Sequence, residues 1–192
     1  MHAKNAISPL LAQSTPANAN TYSEGSGMAS ALQDYTRITN PIDLTEQIAS
    51  VNDWPFERST DDELSLVIAG AWSDYHLSLN WHNDLESLHV ACAFDLKVPF
   101  PRIAEVYRLL AQINEQLWFG HFDLWAHEGT LLYRHSLMLH GADPTPSQCE
   151  ALLQAALESC ERYYQAFQFC VWAGKRAEDA MATAMFDTEG QA

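Results

Sequence analysis

The 192-residue chain predicts an α+β domain, an antiparallel sheet of about five strands packed by helices. Three observations carry that expectation. Tyr75, Leu77, Leu79 and Trp81 alternate with His76, Ser78 and Asn80, the period-2 pattern of a strand with one dry and one wet face. Ile103, Val106, Leu110, Ile113 and Leu117 recur at helical spacing and provide an apolar stripe to cover such a face. Strand and helix signals also follow one another without repeated βαβ units, which argues against a parallel sheet.

Residues 1–40 are rich in Ala, Ser, Thr, Asn and Gln, are interrupted by Pro9, Pro16, Gly25 and Gly27, and read as a flexible tail. Met28 opens a more ordinary segment and is an alternative start. The folded domain is expected over residues 41–192. A short helix begins with Asp43 as N-cap candidate and Glu46 three residues on, and runs to about Val51. Residues 56–72 then read as a hairpin, with Asp61, Asp62 and Glu63 at the charged turn between Phe56 and the strand-like Leu64, Leu66 and Ile68.

The 75–81 strand follows, and His82, Asn83 and Asp84 form a polar turn. In the 86–96 strand, Leu88, Val90, Cys92, Phe94 and Leu96 share one face and should be core. Pro99 and Pro101 stop this strand, and Pro101 suits the first turn of a helix expected to end near Trp118, before Gly120. Strands at 122–126 and 130–139 flank a turn at His127, Glu128 and Gly129, where Gly129 can take a positive φ. A long helix then starts with Ser147 as N-cap candidate and Glu150 at capping-box spacing, and ends at Gly174 and Lys175. Residues 177–186 make a small-residue terminal helix.

Composition narrows the function classes. Ten Lys and Arg stand against 25 Asp and Glu, a formal charge of −15 that repels phosphate backbones and anionic lipid surfaces. Direct nucleic-acid and membrane binding are therefore disfavoured. The acidity concentrates in residues 41–100, where 11 acids face Arg58 and Lys97. Cys92, Cys149, Cys160 and Cys170 lie in apolar contexts without CxxC spacing and read as reduced core thiols. With no apolar run of about 20 residues and no signal-peptide pattern, the expectation is a cytoplasmic protein.

Catalytic patterns do not emerge. There is no GxSxG elbow, no Cys at a basic helix start, no Gly-rich phosphate loop, and no HExxH, CxxC or EF-hand motif, so no cofactor is expected. Asp61 and Asp62 are adjacent in a turn and point apart into water. His121 and Asp123 share strand parity and His135 lies on the neighbouring hairpin arm, which leaves a small metal-dependent enzyme built on these three residues as the rival reading. The surplus is aromatic. Trp118, Phe119 and Trp125 cluster at a helix-to-sheet junction, and Tyr163 and Phe169 lie off the apolar stripe of the last long helix, so these five are the candidate partner-binding residues.

Three segments carry a family resemblance: Leu88-His89-Val90-Ala91-Cys92-Ala93-Phe94-Asp95-Leu96-Lys97-Val98-Pro99, the run from Ile113 through Asn114-Glu115-Gln116-Leu117-Trp118-Phe119-Gly120-His121-Phe122-Asp123 to Trp125, and Phe167-Gln168-Phe169-Cys170-Val171-Trp172-Ala173-Gly174-Lys175. The chain resembles the YbjN family of bacterial proteins from about Pro41 onward. That resemblance implies a fold like the type III secretion chaperones, small α+β dimers that bind other proteins, and a regulatory role in a sensory or stress response. It implies a homodimer with an unidentified partner protein and no enzymatic activity. The family has no catalytic residues to transfer.

Overall fold

The computed structural model describes the backbone of residues 39–189 and the side chains of residues 39–185; residues 1–38 of the expected tail, Met28 among them, lie outside the described residues, while Asn40 at its end belongs to the first helix as its cap. Its sheet has six antiparallel strands, one more than expected: β1 (Phe56–Thr60), β2 (Glu63–Ala69), β3 (Asp74–His82), β4 (Ser87–Lys97), β5 (His121–Trp125) and β6 (Thr130–Met138). The strand order is β1-β2-β3-β4-β6-β5. Thus β6 inserts beside β4, and β5 forms the outer edge.

Four helices, α1 (Pro41–Val51), α2 (Ile103–Asn114), α3 (Pro146–Val171) and α4 (Ala177–Glu189), complete the domain. α1 packs on β2 and β3, α3 crosses β4 and β6, and α2 lies against β5. α4 packs on α2 and α3 as an outer layer. All the helix-to-sheet packing falls on one face, because every strand sends its apolar parity there: Leu64, Leu66, Leu77, Leu79, Leu88, Val90, Cys92, Phe122, Leu131 and Tyr133 are all buried. Their registers confirm the shared face, with Leu66 opposite Leu77, Leu77 opposite Cys92, and Cys92 opposite Tyr133, which is itself opposite Phe122.

The centre of the core is aromatic. Phe94 and Phe122 both pack on Phe167 of α3, at ring-centroid distances of 5.7 and 5.1 Å. The Phe122–Phe167 contact is edge-on, which adds to area burial by matching ring edge to ring face, and the Phe94–Phe167 contact is tilted. The four cysteines are free and buried, as expected. Burial pushes the Cys149 thiol up to about 11 and the Cys160 thiol well above its ordinary value, so neither is an activated nucleophile.

Helix boundaries moved relative to the sequence reading, each time because a nearby side chain served the backbone better. α1 starts at Pro41 with Asn40 as its N-cap, whose side chain accepts from the Ile42 amide at 2.9 Å; Asp43 is inside the first turn, where it pairs with Arg58 at 2.8 Å. α3 is capped by Thr145 in a reciprocal box with Gln148, and Ser147 is already helical. α2 ends at Asn114, before Trp118, because the Asn114 side chain turns to grip the backbone of Phe122. Its amide donates to the Phe122 carbonyl at 3.0 Å and its oxygen accepts from the Phe122 N–H at 2.8 Å.

The start of α2 also ties the other two C-terminal helices together. Arg102 donates to the Cys170 carbonyl at 2.7 Å, closing the end of α3, where orphan carbonyls need donors. Glu105 accepts from the Ala177 N–H at 2.7 Å, where α4 begins and orphan donors need acceptors. One element therefore satisfies opposite ends of two helices.

Candidate functional site

The open sheet face, opposite the helices, carries the more polar parity of the strands, although Ala91 and Leu132 are buried on it. On it lie Glu57, Ser65, His76, Ser78, Asn80, His89, Ala91, His121, Asp123, Trp125, Arg134 and Ser136, a row that crosses the sheet by direct register: Ser65 opposite Ser78, Ser78 opposite Ala91, Ala91 opposite Arg134, and Arg134 opposite His121. The sequence already marked His76, Ser78 and Asn80 as the wet side of their strand. Small side chains in the middle of the row keep the surface shallow.

Its most structured part is the β5 edge. β5 begins at His121, opposite Arg134, while β6 continues for four more residues to Met138. The chain before β5 bends away there. Gly120 has φ +65°, and a Cβ at that position would lie 2.2 Å from the Tyr133 hydroxyl and 2.7 Å from the Arg134 carbonyl oxygen. Only glycine combines that backbone conformation with so close an approach. The Tyr133 hydroxyl then donates to the Phe119 carbonyl at 2.9 Å, and the Phe119 ring lies against His135 at 5.9 Å. These contacts pin the 118–120 loop, yet the Trp118 side chain points to solvent: Trp118 is 94% exposed and Phe119 66% exposed. Met138, at the end of the unflanked stretch of β6, is also exposed.

Beneath this loop a cavity of about 340 Å³ is lined by His89, Gly120, His121, Arg134, His135 and Ser136. Arg134 Nε donates to His89 Nε2 at 3.3 Å, and an Arg134 terminal nitrogen lies 3.5 Å from an Asp123 carboxylate oxygen. Burial, reinforced by Arg134 and by His82, His121 and His135, lowers the His89 imidazole to about 4. His135 is lowered too, by burial and by His121.

The five candidate partner-binding residues separate. Trp118 and Phe119 are exposed together on the loop, and Trp125 is half-buried at the far end of β5, on the open face. Phe169 is half-buried against the core, with Lys175 Nζ 4.7 Å from its ring centroid. Tyr163 must be withdrawn from the set. It is fully buried and packs on Phe122 at 5.9 Å, while its neighbour Tyr164 packs on Phe94 at 5.9 Å. α3 crosses the sheet so that consecutive tyrosines straddle two parts of one aromatic core, and the stripe is wider than a single helical row.

The His121, Asp123 and His135 constellation does not form. His135 lies opposite Val90, so its parity is that of the core face, whereas His121 and Asp123 share the open face, and Asp123 is directed to Arg134. Among the described residues, no group of three or more His, Cys, Asp or Glu side chains is placed to hold a metal ion. The pairing of Arg134 with His89 was missed in the sequence. The available signal was their common polar parity, but it becomes meaningful only once β4 and β6 are known to be neighbours.

This geometry defines a class: an α+β module covered on one side by helices, which presents the other sheet face and an aromatic edge to its surroundings. The chain belongs to the YbjN family, described as "Putative bacterial sensory transduction regulator", whose sequence model matches residues 41–169. Two solved structures are similar. The ExsC–ExsE complex contains a chain 20% identical, with a TM-score of 0.48 over 67% of this chain and 94% of that one. YbjN from E. coli is 12% identical, with a TM-score of 0.49 over 66% of this chain and 90% of that one. No curated protein matches the chain. Among the described residues, no helix is long and apolar enough to cross a membrane.

Proposed function

We propose that this chain is a non-enzymatic, chaperone-like binding module that regulates a bacterial sensory or stress response by holding a partner protein, and that it works in the cytoplasm as a homodimer. The observation that carries the reading is Trp118, which stands almost wholly in water on a loop held by Gly120, Tyr133 and His135. An aromatic anchor on a preorganised loop loses little conformational freedom when it is buried by a partner, which is how a few residues come to dominate an interface. Phe119 and Met138 extend the apolar edge, and the unflanked end of β6 offers backbone groups to an extended segment. Family membership supports a regulatory role, and four free, buried thiols fit a reducing compartment.

The net charge of −15 favours a partner with a basic surface. Affinity capture with the full chain, compared with Trp118→Ala and Phe119→Ala, tests the assignment. Both variants should melt within a few degrees of the parent while losing the captured protein. A full set of partners retained by both variants would refute the edge as the docking surface, and a strict monomer by light scattering at micromolar concentration would remove the dimer.

A further inference from the structure

The cavity under the 118–120 loop differs chemically from the rest of this acidic protein. Its lining contains a guanidinium, three imidazoles, a serine and a glycine, and no carboxylate. The topology assembles these groups from three strands. His89 comes from β4, His121 from β5, and Arg134 and His135 from β6, while His82 at the end of β3 lies 6.5 Å from the His89 ring. Arg134 holds His89 through its Nε, which leaves its terminal nitrogens for another acceptor, and Asp123 at 3.5 Å is a loose partner for one of them. Four of the eight histidines of the chain thus gather around one arginine, with Asp123 as the neighbouring anion.

We propose that this notch binds a small-molecule oxyanion, a phosphate or carboxylate group, held by Arg134 together with the imidazoles of His89 and His121, which share its sheet face, and that binding takes up protons. Arginine presents a planar fork of donors that matches both oxyanions, and each imidazole becomes a second donor when protonated. Without the ligand, burial and the Arg134 charge keep His89 neutral at physiological pH. A bound anion reverses the sign of the local field, so protonation of the imidazoles and occupancy strengthen one another. Asp123 opposes the ligand from β5, and His82 adds to the protonatable set from β3. A volume of about 340 Å³ suits a small anionic molecule.

The test is an imidazole-detected NMR titration of the full chain with sodium sulfate, as a tetrahedral stand-in that does not itself titrate, and with sodium acetate for the carboxylate. Sodium chloride at matched ionic strength is the reference. The proposal expects saturable shifts of the His89 and His121 resonances with at least one oxyanion, and the stronger of the two identifies the ligand chemistry. Affinity should tighten between about pH 7.5 and about pH 6, by up to roughly tenfold per pH unit for each proton taken up. Arg134→Gln should abolish saturation, and His121→Gln, at an exposed side chain, should weaken binding several-fold without altering the fold. Shifts equalled by chloride, an affinity independent of pH, or an affinity unchanged in whichever of the two variants folds would each overturn the proposal.

Discussion

Acid should weaken this fold through one imidazole before its carboxylates are neutralised. His89 is half-buried on β4, accepts a hydrogen bond from Arg134 at Nε2, and is held at about 4 by burial and by the surrounding positive and protonatable groups. In the unfolded chain the same imidazole has its ordinary value near 6.5. Between these two values the unfolded state binds more protons than the folded state, so stability rises with pH; the contribution is intact above about pH 6.5 and is lost as pH falls towards 4. At pH 5 the unfolded imidazole is almost wholly protonated and the folded one about one-tenth protonated, a loss of roughly 2 kcal/mol, rising to about 3 kcal/mol once both are protonated. His135 shifts in the same direction and adds to the slope. Urea unfolding at about pH 7.5 and about pH 5 measures the effect, with His89→Gln as the comparison because its side-chain oxygen can still accept from Arg134. The parent should lose roughly 2 kcal/mol more than the variant between the two conditions. An equal loss in both proteins would refute the reasoning, since titrating carboxylates are common to the pair.

Two further perturbations separate backbone conformation from crowding and from side-chain capture. Gly120 and Gly141 have nearly the same φ, +65° and +70°, but a Cβ at Gly141 meets nothing within 4 Å; Gly141→Ala should cost about 1 to 2 kcal/mol for the left-handed backbone alone, and Gly120→Ala distinctly more because Tyr133 and the Arg134 carbonyl must also give way. Thermal melts of the two variants check the order, and equal costs would mean that the loop readily moves off Tyr133. Asn114→Ala removes both hydrogen bonds to Phe122 and should cost about 2 kcal/mol, with faster amide exchange at Phe122 than at Tyr133; unchanged protection at Phe122 would place the start of β5 under other control.

What could be read in the sequence was periodicity, and what could not was adjacency. The alternation in β3 and β4 assigns Leu77, Leu79, Val90 and Cys92 to the core without any knowledge of neighbours, because a strand needs only its own parity to separate wet from dry. Capping is less secure, since Asp43 and Ser147 have the right chemistry but Asn40 and Thr145 stand directly before Pro41 and Pro146, whose missing N–H groups favour the first helical position. Tyr163 shows a different failure. A helix that crosses a broad aromatic core buries residues beyond one 3.6-residue row, and the extent of that core depends on Phe94 and Phe122, which belong to strands far away in the chain. The candidate site depends on adjacency most of all. Parity alone left His121, Asp123 and His135 open as a patch, whereas the register of β6 against β4 and β5 turns His135 to Val90 and brings His89 to Arg134. A strand order in which β6 lies between β4 and β5 is a long-range result of α2 and α3 covering the same face, so the polar notch and its aromatic edge exist only at the level of the assembled sheet.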